Sequence, residues 1–194
     1  MTRTHDSLTT LPTGVPRYWD EAKRYLAQVD PVLAEVFTRF TGEDDVPLQS
    51  KGNLFSTLAN AIVGQQISAV AAAAIWKRLL EAWGGATPDV VAQYEVDELR
   101  ALGLSRRKAE YLIGTAQAMP ELSLFPWQSM APKEVLDTLT SLRGVGPWTA
   151  EMVQIFVLLH PDILPLGDIG VIRAVEQLYH NSERLSKSEV EQIA

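Results

Sequence analysis

Cysteine is absent from this 194-residue sequence, and histidine occurs only three times. Without cysteine the chain cannot form disulfides, cysteine-ligated zinc sites or thiolate-held iron–sulfur clusters. The histidines, His5, His160 and His180, are scattered along the chain and do not predict a metal site. We therefore expect no cofactor and no metal bound by side chains.

Long apolar runs are also missing. The most apolar stretch, 62–80, is interrupted by Gln65, Gln66, Ser68, Lys77 and Arg78. A membrane span needs about 20 mainly apolar residues, so none is predicted. The chain does not open with a charged segment followed by an apolar one, so no secretory signal is expected. These absences predict a protein of the cytoplasm or nucleoid, or of the nucleus in a eukaryote.

An excess of positive charge is missing as well, because the net charge is −7. A protein that coats nucleic acid nonspecifically is normally basic, so this class is disfavoured. The charge is nevertheless segregated along the chain. The segment 46–80 contains Lys51, Lys77 and Arg78 and no acidic residue, and 106–108 forms a second basic cluster. This pattern is compatible with one side that faces DNA.

Helical periodicity and helix-start signals recur along the sequence, whereas alternating β-branched residues are nearly absent, so the predicted fold class is all-α. The Thr-rich segment 1–16, which contains Pro12, Gly14 and Pro16, predicts a flexible N-terminal arm. Helices are predicted over 18–29, 32–40, 53–63, 68–83, 88–93, 95–101, 105–118, 132–141, 147–160, 168–180 and 186–194.

The most informative segment is LRGVGPWTA at 142–150. Its glycines, Gly144 and Gly146, permit positive φ and a close approach of the backbone to a ligand. Pro147 suits the first position of a helix because it has no N–H group. The turn therefore presents free amides at a helix N-terminus, which favour an anion such as a DNA phosphate. A bare Gly-x-Gly pattern alone is more typical of a plain turn between two antiparallel helices.

The order of the surrounding segments resembles the helix-hairpin-helix (HhH-GPD) DNA glycosylase superfamily, and within it the DNA-3-methyladenine glycosylase II, or alkylpurine, family. An amphipathic helix, the glycine turn, a hydrophobic helix and the loop PDILPLGD at 161–168 follow one another. IVGQQIS at 62–68 and GLSRRKA at 103–109 also look like family segments, and the resemblance covers about 18–194.

The resemblance implies two helical subdomains with the active-site cleft between them. One is a helical bundle over 50–164 that contains the helix-hairpin-helix at 133–160. The other joins 17–49 to 165–194. The sequence stops inside a predicted helix, where relatives usually continue with a segment rich in Trp and Arg, so we expect that a segment completing the pocket is missing.

Asp168 stands where the 161–168 loop meets the following helix. An aspartate there is an ordinary N-cap, worth ~1 kcal/mol, and one oxygen can cap while the other faces a cleft. In the resembled family the matching aspartate is catalytic. Cleavage of an N-glycosidic bond builds oxocarbenium character on the sugar, and a fixed anion stabilises that charge. Asp162 is the rival in the same loop, but it lies too early to start the helix.

The residue after Pro147 distinguishes two branches of the resembled family. Members that also cut the DNA strand carry a lysine there as a Schiff-base nucleophile, and this sequence has Trp148. The resemblance therefore implies a monofunctional enzyme without AP lyase activity. Alkylpurine glycosylases show tryptophan at this position, and an indole face attracts a cationic methylated purine. Core packing is the alternative role, and Met152, Tyr18 and Trp19 are further candidates for the base pocket.

Such an enzyme must extrude the damaged nucleotide from the stack. The turn at 65–68 is the family-like position for the residue that fills the gap, with Gln66 as first choice and local hydrogen bonding as the alternative. A monovalent cation held by main-chain carbonyls of the hairpin is compatible with the resemblance. The predicted DNA-binding residues are Gln65, Gln66, Ser68, Arg106, Lys108, Arg143, Gly144, Val145, Gly146 and Thr149.

The sequence therefore predicts a monomeric DNA glycosylase that removes alkylated bases, such as 3-methyladenine and 7-methylguanine, from double-stranded DNA in base excision repair. Two alternatives remain open. One is a mismatch or uracil glycosylase of the same superfamily, and the other is a noncatalytic helix-hairpin-helix module that only binds DNA.

Overall fold

A computed structural model describes residues 11, 14–50 and 52–194, so most of the predicted N-terminal arm lies outside the described residues. Within the described ranges the chain is helical and forms no β-strand, and the predicted all-α class is confirmed. The helices are α1 Trp19–Val29, α2 Pro31–Arg39, α3 Leu54–Gly64, α4 Ala69–Trp83, α5 Pro88–Val91, α6 Val96–Ala101, α7 Arg106–Leu122, α8 Pro132–Thr140, α9 Pro147–Val153, α10 Ile169–Tyr179 and α11 Lys187–Ile193.

Side-chain caps explain why several helices begin where the sequence predicts. The Asp30 carboxylate accepts hydrogen bonds from the first free amides of α2. Asn53 caps α3 by accepting from the Ser56 amide at 2.9 Å, and Ser68 and Ser105 cap α4 and α7 in the same way. Each cap satisfies an amide that has no partner inside its helix.

Two helices differ from their predicted bounds by more than two residues. Helix α7 extends to Leu122 and contains Pro120, although proline removes one intrahelical hydrogen bond. Burial of Met119 and Leu122 in the core compensates for this loss near the helix end. Helix α9 continues as a π-helical turn over Gln154–Leu158, which ends at Leu159 with a φ of 57°.

A continuous hydrophobic core extends from α3 to the end of the α9 continuation. Helix α3 lies at its centre and contacts α4, α7 and α9. Phe55, Leu58 and Ile62 of α3 are fully buried. The hairpin joining α8 to α9 is attached to this core through buried Val135 and Val153. This core occupies the predicted bundle at 50–164.

The first two helices and the last two lie outside that core. The Tyr179 hydroxyl donates to the Asp30 carboxylate and so joins α10 to the start of α2. The Tyr18 hydroxyl donates to the Leu159 carbonyl at 2.8 Å. These contacts agree with a subdomain built from both chain ends, although the division at 17–49 and 165–194 stays a prediction. None of the described helices is both long and apolar enough to span a membrane.

Candidate active site

Asp168 lies at the start of α10 and uses one carboxylate oxygen as the cap of that helix. Its Oδ1 accepts from the amides of Gly170 at 2.7 Å and Val171 at 3.3 Å. Its own amide donates to the Pro165 carbonyl at 2.8 Å, which fixes the preceding turn. The ordinary N-cap role is therefore present, and the second oxygen remains for another partner.

That partner is Trp148 of α9. Its indole Nε1 donates to Asp168 Oδ2 at 2.8 Å. The indole N–H is only a donor, and a bond from it to a carboxylate is charge-assisted. The interaction fixes the orientation of the carboxylate and places an aromatic ring directly beside it, so two residues 20 positions apart form one site.

The glycine turn before α9 is closely packed. Gly144 has a φ of 90°, and a Cβ added there would lie 2.2 Å from Cγ of Tyr111. No larger residue fits at this position without displacing the tyrosine ring. Gly146 has a φ of −97° and open space around its Cβ direction, so the predicted positive φ occurs only at Gly144. The turn leaves the amides of Gly146, Trp148 and Thr149 without acceptors among the described residues.

Side chains tie this hairpin to the turn between α3 and α4. Gln65 Nε2 donates to the Gly144 carbonyl at 2.9 Å and to Thr149 Oγ1 at 3.1 Å. Lys108 Nζ donates to the carbonyls of Val63 and Gln65, each at 2.7 Å. The adjacent Gln66 is exposed and has a φ of 59°, which is uncommon for a residue with a side chain. The turn is therefore held in place while Gln66 projects from it.

A cavity of about 450 Å³ lies between this turn and the hairpin. We call it the polar cavity because most of the residues that line it are of polar types, including the basic Arg107 and Lys108. The backbone of 144–146 forms another part of its wall. The combination of basic side chains with amides at a helix start suits a phosphate group.

A smaller cavity of about 200 Å³ lies beside Trp148, between α3 and α9. The same indole ring that binds Asp168 forms part of its wall, together with Met152 one turn later. The complete lining is Thr57, Asn60, Ala61, Gly64, Trp148, Met152 and Phe156. An aromatic ring, a thioether and a few polar groups around a small space are typical of a ligand pocket.

Glu151 is a second carboxylate near Asp168 that the sequence analysis missed. Its Oε2 is buried and has no hydrogen-bond partner among the described residues. Burial raises the pKa of Glu151, the charge of Asp168 raises it further, and the Lys187 ammonium group partly opposes both effects. The burial of the Glu151 carboxyl depends on how α9 packs against other helices, so no local sequence pattern identifies this residue.

Replacement of Glu151 by Gln is expected to stabilise the fold at neutral pH. Since burial raises the pKa in the folded chain, the carboxyl stabilises the fold while protonated, and this contribution is lost as the pH rises through the folded-state pKa. Because Glu151 is only partly buried and solvent screens its charge, we expect an increase of at most about 1 kcal/mol at pH 7, or at most about 2–4 °C in Tm. Thermal melts of both proteins from pH 4 to pH 8 measure the difference. The difference in Tm should become smaller as the pH falls toward 4.5, the ordinary pKa of glutamate.

Glu81→Gln provides the matched control, because Glu81 is exposed and 3.9 Å from Lys77 in α4. This variant is expected to melt within about 1 °C of the parent at every pH, as exposed pairs contribute little. A stability gain in Glu151→Gln that did not depend on pH would contradict the assignment of the effect to burial of charge.

Comparison with known proteins identifies the family of this arrangement. A family model described as "HhH-GPD superfamily base excision DNA repair protein" matches residues 59–194, which include the glycine turn, Trp148 and Asp168. The chain belongs to the HhH-GPD superfamily. The sequence-based resemblance is therefore confirmed.

Relatives within the HhH-GPD superfamily are similar over most of this chain. A putative DNA-3-methyladenine glycosylase of Bacillus subtilis is 30% identical over 80% of this chain and 56% of its own length. The structure of a 3-methyladenine DNA-glycosylase from Archaeoglobus fulgidus is 31% identical with a TM-score of 0.75, over 90% of this chain and 62% of that one. The structure of a DNA-3-methyladenine glycosidase from Bacillus halodurans is 31% identical with a TM-score of 0.70, and the match covers 94% of this chain and 83% of that one. This chain spans 56%, 59% and 62% of the first three curated relatives that it matches.

The structure brings three of the five predicted catalytic and pocket residues of this HhH-GPD protein together. Asp168 and Trp148 are hydrogen-bonded, and Met152 shares a cavity with Trp148. Tyr18 and Trp19 instead line a separate apolar cavity of about 420 Å³ against α2 and the 160–163 segment. The helical pattern of α1 predicts which face is buried, but the face packs against α2 rather than beside Trp148.

The predicted DNA-binding residues have different surroundings. Several of them line the polar cavity, namely Gln65, Gln66, Lys108, Gly144 and Gly146. Thr149 and Val145 are buried, with exposures of 1% and 5%, although Val145 also lines the cavity. Their role in DNA binding stays a prediction.

The basic and hydroxyl side chains of the predicted interface have internal partners. Arg106 and Arg143 both pair with Glu110, at 3.3 Å and 3.5 Å. Lys108 uses two donors on main-chain carbonyls, and Ser68 caps α4. Their predicted role in DNA binding stays untested, with Arg106 and Arg143 remaining exposed enough to reach a phosphate.

Arg107 and Tyr111 line the polar cavity and were missed. Helical spacing was the available signal, because positions 107 and 111 lie one turn apart and share a face. In the described part of the chain, no cluster of three acidic or histidine side chains is placed to hold a metal.

Proposed function

We propose that this chain is a monofunctional DNA glycosylase that removes alkylated bases, including 3-methyladenine and 7-methylguanine, from double-stranded DNA in base excision repair. The observation that carries the proposal is the 2.8 Å hydrogen bond between Trp148 Nε1 and Asp168 Oδ2. It combines an anion with an aromatic wall beside a small cavity. The names of the related proteins, which are 3-methyladenine glycosylases, support this substrate class.

The chemistry follows from the charges that develop in the reaction. As the N-glycosidic bond breaks, positive charge builds on the deoxyribose, and the Asp168 carboxylate stabilises it and orients the attacking water. Methylation at a ring nitrogen makes the purine cationic, and the indole face of Trp148 attracts it by ~0.5–2 kcal/mol. The cationic base takes the electrons of the broken bond and leaves as a neutral purine. The oxygen of water then bonds to C1′ of the deoxyribose, and one proton of that water is released to solvent.

The hairpin and the 65–66 turn position the DNA for this step. Free amides at the start of α9 bind a phosphate of the damaged strand. The side chain of Gln66 fills the space left by the extruded nucleotide. Any monovalent cation at the hairpin is held by main-chain carbonyls alone, and that of Gly144 already accepts a hydrogen bond from Gln65. The protein acts as a monomer inside the cell and requires no other cofactor.

Base release from defined DNA duplexes tests the proposal. The duplexes carry 3-methyladenine, 7-methylguanine, 1-methyladenine, hypoxanthine or uracil opposite their usual partners. We expect release of 3-methyladenine and 7-methylguanine at rates well above the spontaneous ones. Release of uracil alone would favour a mismatch or uracil glycosylase, and binding without any release would favour a noncatalytic module.

The product is expected to be an intact strand with an abasic site, because Trp148 occupies the position of the Schiff-base lysine. Incubation with sodium borohydride should yield no covalent protein–DNA adduct. The strand should break only after alkali treatment, which serves as the positive control. A borohydride-trapped adduct contradicts this prediction, and Lys187, whose charge interacts with Glu151, is then the first amine to replace.

A further inference from the structure

The cavity beside Trp148 is built from two facing helical stripes. On α3, positions 57, 60, 61 and 64 lie on one face of the helix. On α9 and its continuation, positions 148, 152 and 156 recur at intervals of one turn. The α9 stripe is aromatic and sulfur-containing, whereas the α3 stripe is small or polar. Ala61 and Gly64 leave the space open, and Thr57 and Asn60 supply its polar groups.

The hydroxyl of Thr57 is buried but forms no hydrogen bond within the described part of the chain. The Thr57 side chain is 6% exposed, and its Oγ1 has no hydrogen-bond partner among the described residues. A threonine in a helix commonly donates to the carbonyl one turn earlier, as Thr140 does to Leu136 at 2.8 Å. Leaving a buried hydroxyl unbonded is unfavourable. A ligand in the adjoining cavity can supply the missing partner.

Asn60 provides a second unused polar group on the same wall, one turn from Thr57. It is half-buried, and its amide has no partner in the ranges that the structure describes. A hydroxyl and an amide can each donate and accept. The edge of a purine presents the complementary groups: an amino donor in adenine and a carbonyl acceptor in guanine at the same ring position.

We propose that Thr57 and Asn60 determine base specificity by hydrogen bonding to the polar edge of the extruded purine while Trp148 and Met152 contact its ring. A cavity of about 200 Å³ suits one planar ring system rather than a larger ligand. The indole of Trp148 both lines this cavity and donates to Asp168, so it links the base site to the carboxylate. This inference rests on the proposed glycosylase activity and extends it to the choice of base.

Single-turnover release of 3-methyladenine and 7-methylguanine from duplex DNA tests the inference. Thr57→Val and Asn60→Leu are nearly isosteric and remove the hydrogen-bonding groups. Each is expected to slow release of at least one base about tenfold, the effect of one lost hydrogen bond, and to change the ratio of the two rates. Asn60→Asp leaves only acceptors and should shift the ratio toward 3-methyladenine, whose amino group is a donor.

Thr115→Val is the matched control. Thr115 is 1% exposed and its Oγ1 also has no partner among the described residues, but it lies in the core of α7 outside the cavity. Both valine variants should melt at or above the wild-type temperature, since each removes an unsatisfied hydroxyl. Only Thr57→Val should then lose activity, which a merely structural role does not predict.

The outcomes separate this inference from the proposed function. If the wild-type protein releases either base but Thr57→Val and Asn60→Leu match Thr115→Val in both rates, the specificity role is overturned and the glycosylase assignment stands. If the wild-type protein releases neither base, both proposals fail. Selective loss of base release in the folded Thr57→Val and Asn60→Leu variants supports the specificity role.

Discussion

Asp168→Asn is expected to reduce the single-turnover rate of base release by at least about 10²–10³-fold while DNA affinity changes little. The substitution removes the negative charge that stabilises positive charge on the sugar. Asparagine is as good an N-cap as aspartate, so α10 should still begin at Ile169. When its oxygen caps the helix, its amide nitrogen faces the donating Nε1 of Trp148. Loss of that one hydrogen bond costs about 1 kcal/mol of stability.

The matched control is Asp162→Asn in the same loop. Asp162 is exposed and makes no hydrogen bond or ion pair among the described residues, and it is the rival carboxylate in the sequence of this loop. Base release measured under single-turnover conditions should match the wild-type rate, and binding to a duplex with an abasic-site analogue should be equal for all three proteins. Full activity in Asp168→Asn would remove the basis of the proposed mechanism.

Local signals explain why most of the fold is predictable from the sequence. Helix starts at Asp30, Asn53 and Ser68 depend on side chains that bond amides two or three residues away, so the chemistry is contained in a short segment. That Trp148 and Asp168 belong to one site follows from the family resemblance rather than from a local signal, and the structure adds the hydrogen bond between them.

Features that depend on distant segments were not predictable in the same way. Gln65 contacts the hairpin 79 residues later, and the sequence gives no indication of that partner. The amphipathic pattern of α1 places Tyr18 and Trp19 on a packed face but does not say which helix covers it. The unbonded state of Thr57 is invisible in the sequence, since it depends on which neighbours α9 brings to α3.

Gly144→Ala is expected to have the second largest effect, because it disrupts the hairpin on which the phosphate contact depends. The φ of 90° costs a residue with a side chain about 1–2 kcal/mol. The added Cβ also lies 2.2 Å from Cγ of Tyr111, whose ring stacks with Arg143 at 5.7 Å, so the packed ring must move. Overpacking of this kind adds about 1–3 kcal/mol.

The two costs together predict a loss of about 2–5 kcal/mol, or a fall in Tm of at least about 5 °C. Gly146→Ala is the control two residues away, because a φ of −97° is accessible to alanine and its Cβ meets nothing within 4 Å. It should melt within about 2 °C of the wild-type protein.

Gly144→Ala that remains folded below its Tm should bind duplex DNA at least about tenfold more weakly, because a displaced turn misdirects the amides of Gly146 and Trp148. Thermal melts and fluorescence anisotropy on both variants measure these effects, and equal behaviour of the two alanine variants would show that the packing of Tyr111 against the turn does not matter.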